Sequence, residues 1–576
     1  MKYSMRKTLR LAALGLLTVV GGQQMMAQVS VTGSVQSDMM VAPLQDERIG
    51  TSEYDNKYFL TNTYVDLMLQ SKSVDAGGRF ELTQWPMPGF ATSPNQDFKG
   101  WGVPNLWVKG RLKRVELTMG SFYEQFGSGF ILRTYEERTL GVDNSLTGGR
   151  AVITPVEGLQ IKALSGVQRN YWEHNGSIVS GADVEMSLDQ WIPAMRKRGV
   201  RMMLGGSWVN KWENYKDSLP FTPNSDYYVV APEFVNAFDA RVTLSKGGFN
   251  LLGEYAQKSA DPNSLNNQIF RKGRAAMISA TYSKKGLSAL FQMKRSDNMG
   301  FRSKRDDPHS TTSFINHQPA FTLDQTYALA ALYPYSTMAE GDNNGEWAYQ
   351  ASLGYNFKKK TALGGKYGTK VKVNYSLVKP IDYRFHGREA LDTYEGALAA
   401  TDGYGSAFWK WGHDTYYQDF DLLLEKKLSK TWDIHAMYMY QDFNRVIQKH
   451  EGHIRSHVFI FEPKWKINKK LTLRAEAQYL YTDHESGDWG FGLLELSVAP
   501  YLMFTVSDQI GRPEKADGHS YGDVTHYYNF CVTGSHKGHR LQVGFGRTRA
   551  GVNCTGGVCR YIPASKGLTI NYNYNF

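Results

Sequence analysis

Beyond its N-terminal stretch the sequence has no run of 18 or more apolar residues, which excludes a membrane-spanning helix. Only three cysteines occur, Cys531, Cys554 and Cys559. The closest two form a lone C-x4-C with no histidine beside it, so a metal centre is not expected. Basic residues are nowhere gathered into a stripe, and no nucleic-acid-binding motif is present, so nucleic acid is not expected as a partner. Two catalytic signatures are also missing. KHEGHIRSH (449–457) places His450, Glu451, His453 and His457 close together, but without the H-E-x-x-H spacing that puts two histidines on one helical face. No G-x-S-x-G marks a nucleophile. No cofactor follows from any of these patterns.

What is present begins with a targeting signal. Lys2, Arg6, Lys7 and Arg10 precede an apolar segment (11–20), which small and polar residues follow as far as Ala27. That order is the one of a secretory signal peptide, with cleavage expected after Ala27 and a mature chain of residues 28–576. No cysteine lies at that point, so no lipid anchor is expected there. The four basic residues supply part of the net charge of +11, leaving a modest +7 for the rest.

Mean hydropathy is negative, −0.44, yet 13% of residues are aromatic, with 35 Tyr, 28 Phe and 13 Trp. An exported chain that is polar on average and rich in aromatics fits a barrel, in which only alternate residues face lipid and aromatics gather at both interfaces. The pattern agrees. In LTLRAEAQYLYT (471–482), Leu471, Leu473, Ala475, Ala477, Tyr479 and Tyr481 share one face, while Thr472, Arg474, Glu476 and Gln478 share the other. LQIKALSGVQ (159–168), FNLLGEYAQK (249–258) and LSALFQMKR (287–295) alternate in the same way, a strand signal that a helix does not produce. Compact polar turns lie between them, such as TPVEG (154–158), SKGG (245–248), SKKG (283–286), INKK (467–470) and SHKGH (535–539). The longest unpatterned stretches, 297–346 and 380–414, are expected as external loops. No separate plug domain is evident. The expected fold is an all-β, single-domain, outer-membrane β-barrel of about 22–24 antiparallel strands, with both ends on the periplasmic side. A soluble sandwich has no reason to place aromatics at strand ends, where WDIHAMYMYQDF (432–443) and TYYQDFDLLLE (415–425) place them.

The last residues read GLTINYNYNF, with Leu568, Ile570, Tyr572, Tyr574 and Phe576 alternating against Thr569 and three asparagines. This strand is expected to close the barrel on the first, because an open edge in lipid leaves backbone groups unpaired at several kcal/mol each. Its aromatic end at Phe576 is similar to the C-terminal signal read by the barrel-insertion machinery. Outer-membrane lipid is therefore one expected partner and that machinery another.

The segment 120–150 is too charged for a turn. Arg133, Glu136, Glu137, Arg138, Asp143, Asn144 and Arg150 crowd among Tyr123, Phe126 and Tyr135. Folded into the lumen, such residues form a constriction and set selectivity; left outside, they form a salt-bridged loop. Strand phase directs Lys162, Glu254, Lys370, Lys372, Asp419, Asp421, His435, Arg474 and Glu476 inward. In DGYGSAFWKWGHDTYY (402–417), Tyr404, Trp409 and Trp411 present aromatic faces suited to a sugar, or equally to a membrane-interface girdle. The stretches YEQFGSG…RTYEER.LG.DN and C.GGVCR..PA..G resemble an uncharacterised family of Bacteroidetes outer-membrane barrels. That resemblance implies fold and location, and no activity.

Three functions follow as expectations. The first is a porin-like or substrate-specific diffusion channel with a charged lumen narrowed by residues 123–150. The second is a non-transporting barrel subunit of an envelope assembly for secretion, insertion or surface lipoproteins, with lipoprotein or barrel partners. The third, an outer-membrane enzyme acting at the rim, has no motif behind it. In an exported loop Cys554 and Cys559 are expected to form a disulfide, worth about 2 kcal/mol for so short a loop. Alkylation followed by mass spectrometry should label both only after reduction; two thiols labelled without reductant would refute the bond.

Overall fold

Period-two sequences with one apolar face cannot bury that face in water-facing hairpins, and here they join edge to edge into one closed wall. The computed structural model describes residues 29–576 apart from 42, 52–57, 91–98, 215–218, 221–227, 264–265, 267–269, 306–312, 336–344, 385–404, 449–450, 516–519 and 556–557. Twenty-four antiparallel strands close into a barrel. Each pairs with the next along the chain, from Ser30–Val41 and Phe59–Gln70 through to His539–Thr548 and Ser565–Asn575. One further strand, Gly405–Trp411, pairs only with the end of Thr369–Arg384. Among the described residues no helix is long and apolar enough to cross a membrane.

The seam forms as the alternating terminus predicts. Val41 pairs with Leu568 and Ser34 with Asn575. Gly33 and Phe576 then exchange two backbone hydrogen bonds, each 3.0 Å. The Phe576 ring lies across Gly33, so close that a Cβ added there would collide with its edge.

The short connections, such as those after Gln70, Leu112, Lys246, Lys284 and His536, all open at one end of the barrel. Long connections open at the other. Apolar side chains such as Leu67, Phe238, Phe291, Leu353, Leu422, Phe459, Leu494 and Phe530 stand exposed on the outer face. Exposed aromatics mark both ends of that band. Tyr282, Tyr355, Trp432 and Trp465 lie toward the short turns, where the two tryptophans stack at 5.5 Å. Trp101, Phe234, Trp411 and Tyr481 lie toward the long loops. This is the apolar belt with two aromatic girdles of a membrane barrel.

The inner face carries buried polar groups: Arg79, Glu81, Asp183, Asp239, Arg241, Glu254, Asn374, Asp419, Asp421, Glu476 and Gln478. A barrel this wide cannot be filled by its wall side chains, since 16 to 18 strands already leave an aqueous channel. Two segments of the chain occupy the space. Residues 123–145 enter from the long-loop end and bury Phe126, Phe130, Ile131 and Leu132 completely. Residues 298–305 and 313–335 follow, with Met299, Phe301, Ile315 and Phe321 packed against them and Leu329, Ala330 and Leu332 packed on the opposite wall. Burying each large side chain contributes about 1.5–3 kcal/mol.

The second segment departs from its expected place. The stretch 297–346 reads as an external loop, yet its described part folds inward. Its apolar residues have no period, and they are satisfied only by the first segment and the lumen wall.

Substituting Gly33→Val drives the new side chain into the Phe576 ring at the seam, an overpacking that costs about 1–3 kcal/mol. The variant is expected to unfold at a lower urea concentration than the native chain, read as loss of the heat-modifiable band on a gel. An unchanged midpoint would show that the seam does not depend on this contact.

Candidate functional site

The segment 123–145 leaves the strand Val115–Phe122 and reverses at once. Gly129, at φ +101°, makes the sharp bend that lets its N–H donate to Phe126 O at 2.9 Å. Phe126 N donates to Leu132 O at 3.0 Å and Thr134 N to Glu124 O at 2.9 Å, so the segment forms its own small hairpin. The second inward segment braces it. Arg133 N donates to Ile315 O at 2.8 Å, His317 N to Gly129 O at 2.9 Å, and Asn316 Nδ2 to Phe130 O at 2.9 Å. Asn144 Nδ2 donates to Phe314 O at 3.0 Å, and its Oδ1 accepts from Tyr135 N at 2.6 Å.

Charges then fasten this body to the wall. Arg79, on the strand Val74–Thr83, reaches Asp66 at 2.8 Å, Glu136 at 2.7 Å and Asp143 at 3.0 Å. Arg138 bridges Asp66 at 2.8 Å and Glu136 at 2.6 Å, with its guanidinium 4.8 Å from the Tyr64 ring. Arg169 holds Glu81 at 2.7 Å and Asp143 at 2.5 Å. Arg150 joins Glu124 and Glu116, and Lys162 approaches Glu124 at 3.2 Å. Further round, Ser128 donates from Oγ to Glu254 at 2.8 Å, and Arg241 collects Asp183, Glu185 and Asp239. Removing one partner of such a buried set costs about 3–5 kcal/mol, whereas the intact set yields little net stability. It serves to fix position.

Of the residues singled out in the sequence, Glu136, Arg138, Asp143 and Arg150 thus meet in the lumen network. Arg133 lies with its guanidinium 4.7 Å from the Tyr135 ring. Glu137 caps the short turn Arg138–Leu140 by accepting from Thr139 N at 3.2 Å. Asn144 is a brace between segments. Glu136, Arg138, Asp143 and Arg150 therefore form a paired lattice with Asp66, Arg79, Glu116, Glu124 and Arg169. The wall partners Asp66, Arg79, Glu81 and Arg169 do not stand out in the sequence. Their only signal is the inward phase of Asp66, Arg79 and Glu81 on neighbouring strands.

Trp409 and Trp411 stand 76% and 51% exposed on the strand Gly405–Trp411. Trp409 lies 6.5 Å from Trp347, and Trp411 5.7 Å from Tyr349, outside the wall in the girdle. Tyr404 falls outside the described residues. Cys554 and Cys559 are opposed in register across the hairpin Gly551–Thr555 and Val558–Ile562; their side chains lie outside the described set. Cys531 is free and lies within 3.9 Å of Thr533 Oγ1. His453 contacts Asp442 at 2.7 Å and His457 contacts Tyr438 at 2.9 Å. Among the described residues no group of three or more His, Cys, Asp or Glu could hold a metal ion.

Beneath the segment 123–145, at the short-turn end, lies a cavity of about 680 Å3 lined by Ser34, Met68, Trp107, Lys109, Thr118 and Arg150, among others. A closed wall, an outward apolar belt and an inward ion-paired body define a membrane-spanning β-barrel with an internally occupied lumen. The chain belongs to a family of unknown function, DUF6029, whose model matches residues 5–576. Among solved structures it is similar to the ferric enterobactin receptor PfeA from Pseudomonas aeruginosa, at 8% identity and a TM-score of 0.43, over 95% of this chain and 80% of that one. The copper transporter OprC aligns at 9% identity and a TM-score of 0.40, over 96% and 82%. OccK8 (OprE) from Pseudomonas aeruginosa aligns at 10% and 0.32, over 96% and 98%. No curated protein matches the sequence.

Asp143 gives the lattice a pH dependence. Burial opposes its charge, but Arg169 and Arg79 override that and hold the carboxyl below its ordinary range. A carboxyl with a depressed folded pKa contributes stability above its unfolded value of about 3.9, and loses it as pH falls through the folded value. Acidification below about pH 4 should therefore loosen the segment, read as faster protease cleavage within 123–145. Arg79→Ala should produce the same cleavage at neutral pH. Resistance of Arg79→Ala at neutral pH would show that the ion pairs do not hold the segment.

Proposed function

We propose that the protein lies in the outer membrane as a selective passage that the segment 123–145 holds closed at rest. The observation that carries this reading is the ion-paired body suspended across the lumen above a cavity of about 680 Å3. A barrel built only as an anchor has no use for an inner wall of charged groups. A general pore has no use for a packed obstruction. Movement of that segment, held by apolar packing and positioned by charge pairs, opens a polar route lined by Lys109, Glu116 and Arg150.

The filled lumen also favours a second reading, a non-transporting barrel within an envelope assembly, in which the inward segments are a permanent core. Planar-bilayer recordings separate the two. The intact protein should be silent or flicker rarely, and a variant with residues 125–143 replaced by a short Gly/Ser linker should give stable stepwise conductance. If that variant folds, as judged by heat-modifiable migration, and stays silent, the passage is refuted and the assembly role stands.

A further inference from the structure

A second cavity, of about 420 Å3, lies in the long-loop half of the barrel, away from the segment 123–145. Its volume falls in the range of small-molecule sites. One wall is the inner face of three consecutive strands, Trp489–Val498, Leu502–Gly511 and Thr525–His536, which present Phe491, Ser507, Gln509, Tyr527 and Asn529. The opposite wall is the inward segment, with Leu323, Ala328, Ala331 and Pro334. The hairpin Gly551–Thr555 and Val558–Ile562 borders the cavity beside Arg549.

One cation there has no carboxylate, and one amide has no hydrogen-bond partner among the described residues. Arg549 donates to Ala550 O at 2.8 Å, and its guanidinium lies 5.9 Å from the Trp489 ring. Its titratable neighbours are the phenols of Tyr333, Tyr527 and Tyr561. Among the described residues no carboxylate pairs with it, unlike Arg79, Arg138, Arg150, Arg169 and Arg241 in the other half of the lumen. Gln509 Nε2 is buried and has no hydrogen-bond partner among the described residues. A buried donor left unmade costs about 1–3 kcal/mol, a cost that an incoming acceptor removes. The remaining surface divides into aromatic and small apolar groups on one side and, on the other, neutral polar groups with Arg547, whose charge is paired with Asp46. Asp324 is exposed at the margin, which disfavours a polyanion.

We propose that this cavity binds a small monoanionic organic solute, with its carboxylate on Arg549 and Gln509 and its ring or carbon body between Tyr527, Phe491 and the Ala328–Ala331 face. The site is independent of the passage: it needs no movement of the segment 123–145 and holds whether or not the barrel conducts.

Ligand-observed NMR on the purified barrel in detergent tests it, with glucuronate and benzoate as probes and glucose as the neutral control. At least one of the two anions should bind saturably and glucose should not. Arg549→Gln should weaken that binding about tenfold or more, the loss of one charge-assisted contact. Arg549→Lys should retain most of it, and Gln509→Ala should weaken it by less than Arg549→Gln does. Heat-modifiable migration of each variant confirms that the barrel is formed. Absence of saturable binding for both anions, binding of glucose at equal strength, or an Arg549→Gln variant that binds like the native chain would each overturn the assignment.

Discussion

A sheet that crosses a bilayer cannot leave an edge, because each unpaired N–H or C=O in hydrocarbon costs several kcal/mol. Everything else in this chain follows from that constraint. The strands alternate because one face meets lipid and the other does not. The terminal alternation from Leu568 to Phe576 exists to meet Ser34–Val41 and complete the ladder. Gly33 stays small because the last aromatic ring lies over it.

Closing the ladder with 24 strands creates a second constraint. Wall side chains cannot span a lumen of that width, so it fills with water or with chain. Here it fills with chain, and the inward segments carry both apolar and charged residues. Phe126, Phe130 and Ile131 supply the packing. Asp143, Glu136 and Arg138 supply register against Arg79, Arg169 and Asp66. His317, buried between the segments, shows how strictly the interior discriminates. Burial first, then the cations Arg133 and Lys294, push its pKa down to about 3. It remains neutral at any ordinary pH, while each cation nearby that fastens the segment 123–145 to the wall has a carboxylate.

The wall was legible in the sequence because its signals are local. Alternation in 471–482, turns such as SKKG and INKK, and the closing strand each occupy a dozen residues or fewer, and together they indicate an even barrel of about the observed size. The lumen was legible only in part. The charge cluster at 133–150 is conspicuous, and so its involvement could be anticipated. Its partners could not, since Arg79 and Asp66 lie far away in sequence and look like any other inward polar residue. The inward path of 298–305 and 313–335 left no signal in the sequence. Met299, Phe301, Ile315 and Leu329 are scattered and belong to no continuous alternating or helical run, and their burial depends on surfaces that exist only once the barrel has closed.

The central claim is that at rest the segment 123–145 is held inside the closed lumen and is not an external loop that visits it. Hydrogen exchange at the amides of Phe126, Arg133 and Thr134 in the intact protein measures this directly. Their partners are Leu132 O, Ile315 O and Glu124 O. Exchange as slow as in the strands, accelerated in Arg79→Ala, is the predicted result. Exchange at the rate of an exposed loop would contradict the account.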